Sequence, residues 1–299
     1  MPLALTRRAL AASLLAAPAL LAAPMLPAPA RAEAGRRALD TRLAEIEAAS
    51  GGRLGVAVLD VASDEVHGRR IDERFALCST FKALAAACVL ARVDRGEERL
   101  ERRIVFSESD LVPPFTETKP HAGAGGMTVA ELCEVMVTVS DSTAANLMLD
   151  SFGGPAALTV YLRSLGDDVT RLDRVELDLN RVAPGDVRDT TSPAAMVRTL
   201  QRIVLGDALS ATSRARLTGW MIAARDAATR RLRVGLPPAW RIANKPGTWE
   251  GVATNDIGVI WPPGRGPIVV AAYLAAAPGT TAAQEAVLAE VARAVAATI

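Results

Sequence analysis

The stretch Ser79-Thr80-Phe81-Lys82 opens an alanine-rich run that continues without a helix breaker to Asp94-Arg95-Gly96. This composition predicts a helix, and a spacing of three residues places the Ser79 hydroxyl and the Lys82 amine on one face of it. An amine that loses its charge in a partly dry cleft can accept the proton of a neighbouring serine and so generate an alkoxide that attacks an acyl carbon. We interpret Ser79 as the candidate nucleophile and Lys82 as its candidate base.

The use of lysine in this chain supports that interpretation. The sequence contains only three lysines, Lys82, Lys119 and Lys245, against 31 arginines. Arginine cannot give up its proton in a protein, whereas lysine can. Lysine is therefore expected at positions where arginine would not serve the chemistry.

Further segments follow the Ser-x-x-Lys element in a fixed order. Together with it, they resemble the class A serine β-lactamases, whose Ser-x-x-Lys, Ser-Asp-Asn and Lys-Thr-Gly elements occur in this order. The resemblance runs from about Arg36 to the C-terminus. The segments are Ser140-Asp141-Ser142, Arg174 to Asn180, Asp189-Thr190-Thr191 and Lys245-Pro246-Gly247-Thr248.

The resemblance implies roles for the groups around Ser79. Ser140 is expected to pass a proton to the leaving β-lactam nitrogen, and Lys245 to supply fixed positive charge beside it. The backbone N–H groups of Ser79 and Thr248 are expected to bind the oxyanion, and loss of one such donor typically costs about 10² to 10³ in rate. Asp141 is interpreted as structural.

Glu176 and Asn180 stand four residues apart and can share one water molecule between a carboxylate and an amide. Such a water, deprotonated by Glu176, would hydrolyse the acyl-enzyme, a role accepted for the family's glutamate. This feature separates a hydrolase from a penicillin-binding transpeptidase, which is expected to lack that glutamate. Arg174 and Asp189 resemble the ion pair that closes the Ω-loop of the family.

Two positions depart from the family pattern. Ser142 replaces an asparagine, so contacts to the substrate amide and to Lys82 are weakened. Pro246 replaces threonine or serine and offers neither a hydroxyl nor an N–H to the substrate carboxylate. The expected substrate-binding residues are therefore Ser142, Lys245, Thr248 and Arg231. Arg231 matches an alternative arginine of the carbapenemase-like branch, and the competing interpretation is an ordinary surface arginine.

These residues predict a secreted enzyme that hydrolyses β-lactams through an acyl-enzyme on Ser79 and a water activated by Glu176. One alternative is a D,D-peptidase or penicillin-binding protein. Another is a catalytically impaired homologue that only binds β-lactams, which the departures at Ser142 and Pro246 favour. A third is a different amidase or esterase of the Ser-x-x-Lys kind.

Hydrophobic periodicity predicts the fold class, which is mixed α/β (α+β). We expect a five-stranded antiparallel sheet in sequence order, flanked by helices, with an inserted all-α lobe, as in the β-lactamase/transpeptidase-like fold. The mixed lobe is assigned to residues 33–75 and 210–299 and the all-α lobe to 76–209, with the active site between them. The predicted strands are 53–60, 65–71, 241–248, 254–261 and 267–274, and the outer helices are 36–49 and 281–297.

The N-terminus has the pattern of an export signal. Thr6-Arg7-Arg8 is followed by an apolar stretch from Ala9 to Met25 and by the small-x-small site Ala30-Arg31-Ala32. We expect residues 1–32 to be a signal peptide cleaved after Ala32, with the paired arginines suiting twin-arginine export. An uncleaved membrane anchor is the alternative. The expected location is periplasmic or secreted, without stable membrane association after cleavage.

Composition limits the partners. Removal of residues 1–32 leaves 31 basic and 33 acidic residues, which does not favour a nucleic-acid partner. Two distant histidines and three scattered cysteines show no metal-ligand spacing, so we expect neither a metal nor a cofactor. We expect a monomer that acts on a small-molecule β-lactam.

Cys78, Cys88 and Cys133 allow at most one intramolecular disulfide, and a Cys88–Cys133 pairing is left open.

Overall fold

The computed structural model describes residues 28–123 and 125–299. Strands from both ends of the chain form one antiparallel sheet with the order β2-β1-β9-β8-β7, and the shorter strands pair as β3-β6 and β4-β5. The strands are β1 (Arg53–Asp60), β2 (Glu65–Arg69), β3 (Phe75–Ala76), β4 (Arg103–Ile104), β5 (Met127–Thr128), β6 (Thr190–Thr191), β7 (Arg241–Trp249), β8 (Ala253–Trp261) and β9 (Ile268–Ala275).

The five-stranded antiparallel sheet confirms the predicted fold class, but the expected sequence order of its strands is wrong. The last strand, β9, lies between β8 and β1, with Val56 opposite Ala272. Burial explains this order, because β1 is covered on both faces and suits a central position, whereas β2 is short and partly exposed. A short, polar strand is tolerated at the edge of a sheet and not in its middle.

The first and last helices cover the outer face of the sheet. Leu39 and Leu43 of α1 are fully buried against apolar residues of α9 such as Leu288 and Val295. The helices are α1 (Ala28–Ser50), α2 (Phe81–Asp94), α3 (Val129–Thr138), α4 (Ser142–Ser151), α5 (Gly154–Ser164), α6 (Pro193–Leu200), α7 (Ala211–Ile222), α8 (Leu232–Gly235) and α9 (Thr281–Thr298).

Helix α2 is the central element of the helical region. Every residue from Phe81 to Ala91 is buried, including Lys82. A helix that is apolar all round packs in the interior, surrounded by other helices. Helices α3, α4, α5 and α7 contribute to the same core. Lys82 is therefore held on a helix that is packed on all sides.

The two short strand pairs were not predicted from the sequence. β3 pairs with β6, so that Phe75 lies opposite Thr191. This pairing joins the segment before Ser79 to the end of the loop that carries Glu176.

The predicted signal peptide falls largely on residues 1–27, which lie outside the described residues. None of the described helices combines the length and apolar character needed to cross a membrane.

Candidate active site

Ser79 lies in a short 3-10 turn, Cys78–Thr80, immediately before α2. Ser79 is half-buried. Three hydrogen bonds hold the turn in place. Leu77 N–H donates to Asp189 O at 2.9 Å, Thr80 Oγ1 donates to Leu77 O at 2.7 Å, and Asn255 Nδ2 donates to Ala76 O at 2.9 Å.

Lys82 is 1% exposed and lies at the centre of the site. Its Nζ is 2.9 Å from Glu176 Oε1 and donates to the backbone oxygen of Ser140 at 2.7 Å. The Oγ atoms of Ser140 and Ser142 each lie 3.4 Å from the same nitrogen. Among the described residues, Lys82 has no hydrogen bond to Ser79. Lys82 and Glu176 thus form a buried ion pair beside the nucleophile.

Ser140 lies between two lysines. Its backbone is in the left-handed region, with φ of 64°, and its Oγ accepts a hydrogen bond from Lys245 Nζ at 3.0 Å. Lys245 also donates to Pro246 O at 3.1 Å. Burial lowers the pKa of Lys245 well below its usual range, and the neighbouring charge of Lys82 lowers this pKa further. A serine flanked in this way can receive and pass on a proton.

Asp141 is structural, as the sequence interpretation holds. It is fully buried, caps helix α4 by accepting from Ala144 N–H at 2.9 Å, and accepts from Thr118 Oγ1 at 3.0 Å. These bonds fix Ser140 and Ser142 on either side of Asp141.

Glu176 and Asn180 are brought together as predicted. Asn180 Nδ2 donates to Glu176 Oε2 at 2.8 Å and to Leu177 O at 3.0 Å. Sequence reasoning missed the role of Asn146, which forms two hydrogen bonds with the backbone of Glu176. Glu176 N–H donates to Asn146 Oδ1 at 2.9 Å, and Asn146 Nδ2 donates to Glu176 O at 3.0 Å. The signal for Asn146 was its place on α4, one helical turn after Ser142.

The Ω-loop is closed by the Arg174–Asp189 pair. Arg174 Nε lies 2.6 Å from Asp189 Oδ2, and Asp189 is fully buried. Asp189 Oδ1 also accepts the backbone N–H groups of Asp173 and Arg174, at 2.7 and 2.9 Å. The pair therefore anchors the segment that carries Glu176.

Arg231 is 1% exposed, so its interpretation as a surface arginine is wrong. Its Nη1 donates to Gly247 O at 2.8 Å and to Asn255 O at 2.7 Å. Its Nη2 donates to Thr248 Oγ1 at 2.6 Å. Arg231 thus lies behind the strand that carries Thr248 and orients that hydroxyl.

The two departures from the family pattern lie inside the site. Ser142 is buried beside Lys82, and its N–H donates to Pro114 O at 2.7 Å. Pro246 contributes its carbonyl oxygen to Lys245 and has no hydroxyl to offer. Both positions therefore supply fewer polar groups than a longer amide and a hydroxyl residue would.

The cysteines do not take part in this arrangement. All three are buried and free, so a Cys88–Cys133 disulfide is not formed. Burial raises the pKa of the Cys78 thiol to about 12, which keeps this neighbour of Ser79 protonated and unreactive. Within residues 28–123 and 125–299, no group of three or more His, Cys, Asp or Glu side chains is placed to hold a metal ion.

The fold and the site define a class of proteins, the serine hydrolases in which the nucleophile and a lysine lie one helical turn apart at the start of a buried helix. A family model described as the beta-lactamase enzyme family matches residues 38–299. The chain belongs to this family and is a class A serine β-lactamase.

Several relatives support the assignment. The chain is 46% identical to a β-lactamase of Streptomyces albus G over 87% of its length and 84% of that protein's. It is also 46% identical to β-lactamase L2 of Stenotrophomonas maltophilia, over 85% and 83% of the two chains. Among solved structures, an ancestral class A β-lactamase superposes with a TM-score of 0.85 at 57% identity, over 87% of this chain and all of that chain.

Proposed function

We propose that this β-lactamase hydrolyses its substrate through an acyl-enzyme on Ser79, which is released by a water molecule that Glu176 activates. The observation that carries this mechanism is the placement of the Glu176 carboxylate. Its Oε1 lies 2.9 Å from Lys82 Nζ, and its Oε2 lies 2.8 Å from Asn180 Nδ2. Lys82 itself follows the nucleophile by one helical turn. One buried carboxylate can therefore take part in two proton transfers. One carries the proton away from Ser79, and the other takes a proton from the hydrolytic water.

In acylation, the Ser79 oxygen attacks the β-lactam carbonyl carbon as its proton leaves toward Lys82 or, through a water, toward Glu176. For Lys82 to accept it, the lysine must first be neutral, for example by passing a proton to Glu176. The negative charge on the carbonyl oxygen is received by the N–H groups of Ser79 and Thr248. The ring C–N bond then breaks, and Ser140 gives its proton to the departing nitrogen. Lys82 replaces that proton with the one received from Ser79, while Lys245 supplies fixed positive charge.

In deacylation, Glu176 takes a proton from a water molecule, and the resulting hydroxide attacks the ester carbon. The Ser79 oxygen leaves and regains a proton, which restores the enzyme. Asn180 suits the second contact to this water, because its Oδ1 is buried and accepts no hydrogen bond within the described residues. Asn146 fixes the backbone of Glu176 and so limits where its carboxylate can lie.

Substrate binding is assigned to groups at the strand edge. Lys245 and the Thr248 hydroxyl would hold the carboxylate that β-lactams carry on the fused ring, and Arg231 adds positive charge behind Thr248. Pro246 removes one hydroxyl contact that this recognition uses elsewhere in the family.

The D,D-peptidase and penicillin-binding alternatives would need Ser79, Lys82, Ser140 and Lys245, but have no use for a carboxylate and amide prepared for water. The close Glu176–Asn180 pair therefore favours the hydrolase. The impaired-homologue alternative rests on Ser142 and Pro246 alone, and both positions leave the nucleophile and its proton-transfer groups in place.

The test is turnover of a chromogenic cephalosporin by purified wild-type protein and by Ser79→Ala. Continuous hydrolysis by the wild type, abolished in the variant, supports the proposed function. Long-lived labelling by a fluorescent penicillin without turnover would support a penicillin-binding protein. Ester hydrolysis with indifference to penicillins would identify a different Ser-x-x-Lys enzyme. A protein with no covalent adduct in intact-mass spectra would be a binding homologue.

Export and assembly belong to the same proposal. We propose cleavage after Ala32 and a periplasmic or secreted monomer, with the mixed lobe at 33–75 and 210–299 and the helical lobe at 76–209. The N-terminal sequence of protein recovered from the periplasm or medium would test the cleavage, and light scattering would test the monomer. Retention in the membrane fraction at full length would contradict it.

A further inference from the structure

A cluster of charged side chains lies behind the residues assigned to the substrate carboxylate. Arg230 and Arg231 share one carboxylate, that of Glu285, with Arg230 Nε at 2.7 Å and Arg231 Nη2 at 3.4 Å. Because Arg230 makes the closer contact and Arg231 is buried, the charge of Arg231 is only partly balanced by Glu285. Asp256 supplies a second carboxylate to this region.

Asp256 is fully buried on β8 and takes part in no ion pair within 4 Å among the described residues. Its contacts are hydrogen bonds from neutral donors. The Leu232 N–H donates to Asp256 Oδ2 at 3.2 Å, and Asn244 Nδ2 lies 3.0 and 3.2 Å from its two oxygens. The bond to Leu232 is significant because Leu232 directly follows Arg231 in the chain.

Asn244 is held so that it can offer only its NH2 group to Asp256. Its Nδ2 also donates to Ala228 O at 3.0 Å, and its Oδ1 accepts from Arg233 Nη2 at 2.9 Å. A reversed amide would bring NH2 against the Arg233 guanidinium and lose both bonds. The surroundings of Asp256 therefore consist of donors, which suits a carboxylate and leaves a protonated carboxyl group without an acceptor.

We propose that Asp256 is a positioning residue for recognition of the substrate carboxylate, because its negative charge keeps the guanidinium of Arg231 turned toward Thr248. This role rests on the proposed function of the site. Without the charge of Asp256, Arg231 would be a poorly compensated buried cation, an arrangement that is strongly unfavourable in proteins. Arg231 can relieve it by turning toward Glu285 and away from Thr248. The Thr248 hydroxyl then loses its orientation toward the substrate.

The role carries a pH dependence. Burial raises the pKa of Asp256 to about 6, opposed by the charge of Arg231 and by the bonds from Asn244 and Leu232. The charged groups that face Asp256 are Arg231 beside α8, Arg233 on α8 and Lys245 on β7. Above about pH 6 the carboxylate is ionised and Arg231 is held. Below that pH Asp256 gains a proton, so the KM for a substrate that carries the carboxylate is expected to rise.

The first measurement uses the wild-type enzyme with penicillin G and with its methyl ester, which lacks the carboxylate charge. We expect KM for penicillin G to rise about tenfold between about pH 8 and about pH 5, a free-energy change of about 1.4 kcal/mol, with its midpoint near 6. KM for the ester is expected to change less than about twofold. A flat KM for both substrates would overturn the proposal.

The second measurement compares Asp256→Asn with Asp207→Asn, a matched change at an exposed position. At neutral pH, Asp256→Asn is expected to raise KM for penicillin G about tenfold, to change kcat less than about threefold, and to lose the pH dependence. Retained turnover of the ester shows that the variant is folded.

Two further outcomes would overturn the assignment. A lower KM in Asp256→Asn would mean that Asp256 acts only as a distant charge that repels the substrate. An equal rise of KM for the ester would mean a general structural role. If the wild type turns over neither substrate, the proposed hydrolase function itself is refuted and the role of Asp256 with it. Turnover by the wild type with the wrong pH profile refutes the role alone.

Discussion

Replacing Glu176 by glutamine removes the base proposed for deacylation while it preserves the size of the side chain. The glutamine can still contact Asn180 and Lys82, but it cannot take a proton from water. General base catalysis typically contributes about 10² to 10⁴ in rate, so deacylation is expected to slow by that factor. The acyl-enzyme formed on Ser79 should then accumulate instead of turning over.

The surroundings of Glu176 also predict a cost in stability. Its carboxylate is the ion-pair partner of Lys82 at 2.9 Å, and the side chains of both residues are at most 2% exposed. Removing one partner of such a buried pair typically costs about 3 to 5 kcal/mol unless the remaining group changes its protonation. Since Lys82 can lose its proton, we expect the measured destabilisation to fall at or below the lower end of that range.

The assay is intact-mass spectrometry after mixing with penicillin, combined with turnover of the chromogenic substrate. Glu176→Gln should show a persistent mass increase equal to one intact penicillin and a steady-state rate at least about 100-fold below wild type. Glu101→Gln, an exposed matched change, should behave as the wild type does. Normal turnover by Glu176→Gln without an adduct would refute the assigned role of the carboxylate.

Other changes test other parts of the site. Ser142→Asn should raise penicillin turnover several-fold because the longer amide restores a contact beside Lys82, and a loss of activity would show that the site is built around serine. Arg231→Ala should raise KM about tenfold or more, since Thr248 loses its partner, and an unchanged KM would contradict this role. Asp189→Asn should destabilise the protein by about 3 kcal/mol, seen as a lower Tm than that of the exposed control Asp178→Asn, because Arg174 loses its buried partner. An unchanged Tm would show that the pair does not anchor the Ω-loop.

Much of the fold followed from local pattern. The alternation of apolar residues predicted β1 at its observed bounds, Arg53–Asp60, and placed the final helix within a residue of its observed end at Thr298. The order of strands in the sheet did not follow. Hairpins are specified by neighbouring residues, but the pairing of β1 with β9 joins segments more than 200 residues apart.

Part of the candidate site was likewise predicted from local spacing, and part was not. The spacing of Ser79 and Lys82, and of Glu176 and Asn180, predicted that each pair lies within a single turn of backbone, and Asn180 does contact Glu176. The hydrogen bonds between Asn146 and the Glu176 backbone were not predicted, because they depend on how the Ω-loop packs against α4.

The sequence by itself predicted the candidate reactive residues, the two departures at Ser142 and Pro246, and the class of chemistry, because its motifs and their order along the chain resemble those of the family. Only the tertiary structure decided that Arg231 is buried, that Lys82 pairs with Glu176, and that Asp256 lies in a cage of donors. Burial and charge pairing arise where distant segments pack together. They depend on the whole fold, and no local pattern of residues encodes them.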